Sequence, residues 1–288
     1  MGLVSRLQKT QQSGQTTTVV FVEGAQIPQE KTGLKQLNVE ETPTLYSTHF
    51  QNPQSDYSVG RKKKLLKFAE ILSFPNVYEC YNVQEPVLTG ADLQPVDLKG
   101  KWRSDHFRNN FPVTLELACG RGEYTVGLAR LFPERNFIGV DVKGNRMHTG
   151  AKDALLNGLH NAAFLRTRIE VIDQFFEPGE VDEIWITFCD PFPRSSKENR
   201  RLTSPFFHEK YRKILKPGGL VHLKHDDNDF IRFTLESVAA DDACTLQYQN
   251  HDIYAGELPM PELSIPTLYE SKHLAAGKTI KYLRYKIS

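Results

Sequence analysis

From residue 113 onward, apolar and polar positions follow two alternating periods. "VTLELAC", "NFIGVDV", "AAFLRT", "VDEIWITFCD" and "LVHLKHD" are short runs dense in β-branched and aromatic residues, and they predict buried strands. Between them, "GRGEYTVGLARLF" and "GNRMHTGAKDALLNGL" carry helical spacing, and "EVIDQFF" predicts a short helix. "LTSPFFHEKYRKILKPGG" predicts a helix stopped by Pro217 and the two glycines after it. Strands and helices alternating at this interval predict an α/β fold, a doubly wound, mostly parallel Rossmann-like sheet with helices on both faces.

Upstream the pattern weakens. In "GRKKKLLKFAEILSF", Arg61, Lys62, Lys63 and Lys64 precede Leu65, Leu66, Phe68, Ile71 and Leu72 at amphipathic spacing, which predicts a basic helical arm over 59–100. Positive charge at a helix start opposes the helix dipole, so the charge reads as kept for a partner; a solvated basic linker is the plain alternative. Residues 1–58, rich in Gln, Thr, Ser, Gly and Pro, read as a disordered extension. Within it "TTTVVFVEG" is the one run that offers a small strand instead. Residues 101–288 form the expected main domain.

Composition changes this picture little. With 39% hydrophobic and 25% charged residues among 288, the chain is of the ordinary globular kind. A net charge of +1 makes no case for a nucleic-acid partner, so any such case rests on local clusters. Cys80, Cys119, Cys189 and Cys244 are far apart, without CxxC pairs or zinc-type histidine spacing. Reduced thiols, no metal site and a cytoplasmic setting are expected. The N-terminus has no secretory pattern and no run approaches the ~20 apolar residues that span a bilayer, so no membrane partner is expected.

Candidate chemistry gathers at the ends of the predicted strands. Gly120 and Gly122 lie between a strand and a helix, where a backbone must approach a ligand closely; Ala118 stands where such a loop would carry its first glycine. Asp141, 21 residues beyond Gly120 at the end of the second strand, is placed to accept both ribose hydroxyl protons of an adenosine-bearing cofactor. Glu116, inside the first strand, has little use in a dinucleotide site but suits a sulfonium and an amino group. Glu123 is explained by the helix dipole and is not assigned to the site. Asp190 should end the fourth strand and face the cofactor, with Pro191 and Pro193 stiffening the backbone beside Phe192.

"LELACGRGEY", "NFIGVDVKGNRM", "VDEIWITFCDPFPRSSKENRRLTSPFF", "YRKILKPGGLVHLKHD" and "TLYESKHLAAGKTIKYL" together resemble, in order and spacing, the bacterial tRNA (guanine-N7-)-methyltransferases. The resemblance covers roughly residues 60–288. It implies methyl transfer from S-adenosylmethionine to N7 of a tRNA guanine, at position 46 of the variable loop. It also implies cofactor contacts at Glu116, Asp141 and Asp190, beside the Gly120 and Gly122 loop, with Asp190 central to catalysis. A further family acid falls at Arg168, where Thr167 or a backbone group would replace it. On the substrate side the resemblance implies Arg194, Asp226, Thr267 and Glu270, the carboxylates reading guanine N1 and N2 hydrogens. Without the resemblance, "TLYE" reads as an ordinary turn.

Phe192 stands where the family usually has Trp, and Cys189 where it often has Pro. Lys197, Arg200 and Arg201 read as a phosphate-binding ribbon with tRNA as the partner, their alternative being caps and ion pairs of the next helix. A monomer is expected, with a homodimer as the alternative. Three rival readings remain at this point: methylation of an exocyclic amine, a catalytically inactive RNA-binding protein of the same fold, and a nicotinamide dehydrogenase, which Glu116 disfavours.

Overall fold

The computed structural model describes residues 64–80 and 82–288 in full and, nearer the N-terminus, the backbone of two strands. Arg6–Gln12 (β1) pairs antiparallel with Gln15–Phe21 (β2) in a unit of its own. The strand read as an alternative for "TTTVVFVEG" is therefore present at β2, and β1 is a second strand where disorder was expected, while residues 1–5, 13–14 and 22–58 lie outside the described residues. Arg61, Lys62 and Lys63 lie outside them too.

The main unit is built on eight strands in the order β3-β6-β5-β4-β7-β8-β10-β9. They are Val77–Glu79 (β3), Val113–Leu117 (β4), Asn136–Asp141 (β5), Ala162–Arg166 (β6), Val181–Thr187 (β7), Leu215–His225 (β8), Cys244–Asn250 (β9) and Lys281–Ile287 (β10). Pairing is parallel from β3 to β8, and β10 runs antiparallel to both β8 and β9. β4 is central and buried along its whole length, as its near-continuous apolar run predicts for a parallel strand covered on both faces.

The two-residue alternation divides the core. Ile184 and Ile186 of β7 face Phe207, Tyr211 and Ile214 of Pro205–Ile214 (α4), together with Phe230 and Val238 of Asn228–Ala239 (α5). Trp185, one residue between them, joins Tyr124 and Val126 of Glu123–Leu131 (α2) and Met147 and Ala151 of Gly144–Leu156 (α3) on the opposite face.

Several boundaries differ from the sequence expectation. α4 stops at Ile214, not at Pro217, because Leu215 already pairs with Val181 and the Pro-Gly-Gly segment is a bulged start to β8. β7 ends at Thr187, as Phe188 turns into the left-handed region (φ 46°), so Asp190 belongs to a loop beyond the strand. "EVIDQFF" forms a 3-10 helix over Ile169–Gln174. "TLYE", read as a turn, begins a helix, Leu268–Ala275 (α6).

The helix predicted in the basic segment spans residues 64–71 (α1). Ile71, Phe74 and Val77 are buried in the α2–α3 face and β3 adds to the edge of β6, so the chain there joins the sheet domain. Beyond β3, Glu79 forms a bridge with Thr89, and Thr89 one with Pro95.

Candidate active site

The sheet order reverses at β4, and beyond the carboxyl ends of β4, β5, β6, β7 and β8 opens a cavity of about 1010 Å³. Its first end is made by the loop after β4. Ala118, Gly120 and Gly122 all take left-handed backbone conformations, with φ of 59°, 56° and 72°. For Ala118 this conformation costs about 1–2 kcal/mol, strain that the missing first glycine would have avoided. Gly120 lines the cavity and donates its N–H to Asp141 Oδ2 (2.9 Å), while the Lys143 N–H binds Oδ1 (2.7 Å). These two bonds fix the Asp141 carboxylate at the cavity wall.

Gly122, expected to contact the cofactor, sits behind Gly120 in the same loop and does not itself line the cavity. A Cβ there would lie 2.5 Å from Phe164 and 3.2 Å from the Gly150 backbone, so the missing side chain serves the packing of α2 on the sheet and α3. Glu116 is buried beneath the loop. One carboxylate oxygen accepts the Thr125 N–H (2.8 Å) and hydroxyl, and the other accepts the Thr187 hydroxyl (2.8 Å). Burial pushes its carboxyl up to about 7, against the lowering effect of those hydrogen bonds.

Thr167 lines the same end with its hydroxyl buried and without a partner among the described residues. An unpaired polar atom facing a cavity is a place where a ligand polar group is wanted. Arg168 stands at the rim as an ion pair with Glu170 (3.3 Å), and Glu170, which the sequence reading passed over, also lines the cavity. A buried carboxyl, a fixed carboxylate at the cavity wall and an orphan hydroxyl make a donor set that fits the ammonium, ribose hydroxyls and base of S-adenosylmethionine.

The second end is made by the loop after β7. Asp190 is exposed and lines the cavity; its Oδ1 accepts the N–H of Phe192 (3.0 Å), holding Phe192 at a φ of 43°. The Arg200 guanidinium lies 4.7 Å from the Phe192 ring centre, on the cavity wall. Arg194 and Lys197 are exposed and do not line the cavity.

Arg201 departs from the expected ribbon. It is buried and donates to the carbonyls of Pro191 (3.1 Å) and Phe192 (3.1 Å), pairs with Glu198 (3.3 Å) and lies over Phe233. A guanidinium with these partners holds the loop's shape and has no fork left for phosphate.

Asp226 lies at the cavity with Lys278 Nζ at 2.6 Å and His273 Nδ1 at 3.2 Å. Burial works to raise its pKa, but Lys278 and the two histidines His225 and His273 hold it below the usual range. Phe188 stacks against both histidine rings at 5.9 and 5.8 Å, tying the β7 loop to α6. The signal for these histidines was present in "LKHD" and "ESKHL", yet two isolated histidines carry no spacing rule.

Thr267 lines the cavity, whereas Glu270 does not. Thr267 caps α6 by accepting the Glu270 N–H (3.1 Å), and Glu270 reaches back to the Thr267 N–H (3.4 Å). The Glu270 carboxylate is fully buried on Lys224 (2.7 Å) and the Tyr254 hydroxyl (2.8 Å), so the expected guanine reader is instead an anchor. The pattern T-x-x-E before a helix is itself a capping-box signature, which was the missed signal. Glu123, left outside the site, accepts the Leu268 N–H (2.7 Å) and pins α6 from the other side of the cavity rim.

The sheet order and the paired ends of this cavity define a Rossmann-like methyltransferase of the class that uses S-adenosylmethionine. The crystal structure of the 16S rRNA methyltransferase KamB shares the fold, with a TM-score of 0.50 and 14% identity, over 68% of this chain and 96% of that one. A family described as putative methyltransferase matches residues 110–283. The tRNA (guanine-N(7)-)-methyltransferase of Bacteroides thetaiotaomicron is 47% identical over 226 residues, 78% of this chain and 86% of that protein. The protein of the same name from Christiangramia forsetii is 43% identical over 230 residues, 80% of this chain and 100% of that protein. The chain belongs to the tRNA (guanine-N(7)-)-methyltransferase family.

Proposed function

We propose that the chain transfers the methyl group of S-adenosylmethionine to N7 of a guanine in tRNA, at position 46 of the variable loop. The observation that carries this reading is that one cavity joins the Glu116, Asp141 and Thr167 end to the Asp190, Arg200 and Asp226 end. The cofactor supplies an electrophilic methyl on a sulfonium. Guanine N7 presents an in-plane lone pair and no proton, so no general base is needed. Asp190 then acts by position and charge. Its Oδ1 is tied to the Phe192 N–H, which fixes the carboxylate at the cavity and supports this role.

Asp226, held ionised by Lys278 and the histidines, adds negative potential where the purine becomes cationic. Glu116 holds the cofactor's amino-acid end, Gly120 and Asp141 its ribose, and Thr167 its base. Phe192 offers an apolar face to the target guanine. Arg194, Lys197 and Arg200, exposed along Arg194–Arg200, contact the phosphate backbone. Thr267 stays as a substrate-side wall through its place on the cavity. A monomer acting on tRNA in the cytoplasm belongs to the same reading; among the described residues no helix is long and apolar enough to cross a membrane.

Unmodified tRNA incubated with methyl-labelled cofactor and digested to nucleosides tests the reading. Label in 7-methylguanosine is expected; label in an exocyclic amine, or none, overturns it.

A further inference from the structure

At the far end of the sheet from the cavity, three side chains with metal-binding donors converge. His208 of α4, Asp241 in the turn after α5 and Cys244 at the start of β9 place one donor atom each within 4.8 Å of the others. Strand register fixes the separation: Cys244 pairs with Ile287, which pairs with Gly219, and His225 at the cavity lies six residues further along β8. At a strand rise of 3.3 Å per residue this is about 20 Å.

We propose that His208 Nδ1, Asp241 Oδ2 and Cys244 Sγ form a binding site for a thiophilic divalent cation of the zinc type. Zn²⁺ at about 2.0 Å from N and O and about 2.3 Å from S in a tetrahedron sets its ligand atoms about 3.3–3.6 Å apart. Two of the three edges are 3.6 Å from Sγ to Nδ1 and 3.4 Å from Nδ1 to Oδ2, and the third lies within 4.8 Å. Nδ1 offers either one proton or one lone pair, yet it faces both the thiol and the carboxylate. The thiol also meets the Asp241 carboxylate, so the three donor atoms converge pairwise on one point, where a single cation would engage all of them at once.

The surroundings complete the arrangement. His208 is fully buried, and its other nitrogen meets the Tyr285 hydroxyl at 3.2 Å, which fixes the ring. Asp241 is oriented by Arg212, 3.0 Å from both oxygens, and by the Ala243 N–H on Oδ1. Arg212 leaves Oδ2 a second lone pair for the cation. Asp241 and Cys244 are half-buried, so the fourth coordination position is open to water. A cation here would join α4, the α5 turn and β9, clasping the outermost strand to the helix layer.

The test uses the full chain, stripped with a chelator and titrated with Co²⁺. One equivalent should produce thiolate-to-cobalt charge-transfer absorption and the intense visible bands of tetrahedral cobalt, both displaced by Zn²⁺. Cys244→Ser should abolish the charge-transfer band although Cys80, Cys119 and Cys189 remain, and Asp241→Asn should weaken binding at least about tenfold. Zn²⁺ should raise the melting temperature of the wild type and not of Cys244→Ser, with methyl transfer unchanged. Absence of the band in folded wild type, or its survival in Cys244→Ser, overturns the proposal.

Discussion

Lys224 Nζ and Glu270 Oε1 lie 2.7 Å apart with neither side chain exposed, on the inner side of α6, whose Tyr269 and His273 wall the cavity. Lys224 spends its remaining donors on the Leu263 and Ile265 carbonyls, so both members are satisfied within the protein. Removing one leaves the other as an uncompensated buried charge. Glu270→Ala is expected to lower stability by about 3–5 kcal/mol, and Lys224→Met combined with Glu270→Leu to recover much of it. Urea unfolding measures both. A Glu270→Ala protein of wild-type stability that had lost guanine recognition would return Glu270 to the role of base reader.

Arg200 and Arg201 are neighbours with different fates. Arg200→Ala should weaken tRNA binding and reduce the slope of log affinity against log salt by about 1. Arg201→Ala removes the clamp on the Pro191 and Phe192 carbonyls, so turnover should fall while the salt slope stays as in the wild type. Filter binding across a salt series, set beside turnover, separates the two. Equal salt slopes for both variants would contradict the assignment.

Glu116 predicts a pH dependence of cofactor binding. Burial raises its carboxyl from 4.5 to about 7 in the empty protein, and a cationic ligand favours the ionised form. Affinity for S-adenosylmethionine should rise with pH up to about 7, by as much as tenfold per unit, and level off above. The empty protein should meanwhile lose stability over the same interval, because the unfolded chain gives up this proton first. Calorimetric titration at several pH values tests the rise, and Glu116→Gln should flatten it.

Asp190 is exposed and holds only the local turn, so its replacement spares the fold. Asp190→Ala should reduce the rate of methyl transfer by about 100-fold or more, with melting temperature little changed. Single-turnover kinetics with saturating tRNA provide the measurement; near-normal rates would remove Asp190 from its central place.

The strands β4 to β8 and their parallel pairing were legible because each is a short apolar run between glycine or polar breaks, and the carboxylates Glu116, Asp141 and Asp190 could be placed by their position along those runs; β3, of three residues, and the polar β9 were not. What stayed hidden depends on contacts between distant segments. Arg201 and Arg200 look alike in sequence, and only the carbonyls of the preceding loop distinguish them. Glu270 reads as a free acid until Lys224, 46 residues away, is folded against it. His208, Asp241 and Cys244 have no motif spacing because three separate elements deliver them.

β3 also has a bearing on self-association. On that side the sheet finishes in three residues whose outward neighbour, Thr89, is itself backed by Pro95, an amino acid with no amide hydrogen to offer. A stray chain finds little template there for cross-molecular ladder growth. Among the described strands of this sheet, the burden of resisting aggregation falls on β9, seven residues long and carrying the amides of Gln247, Gln249 and Asn250.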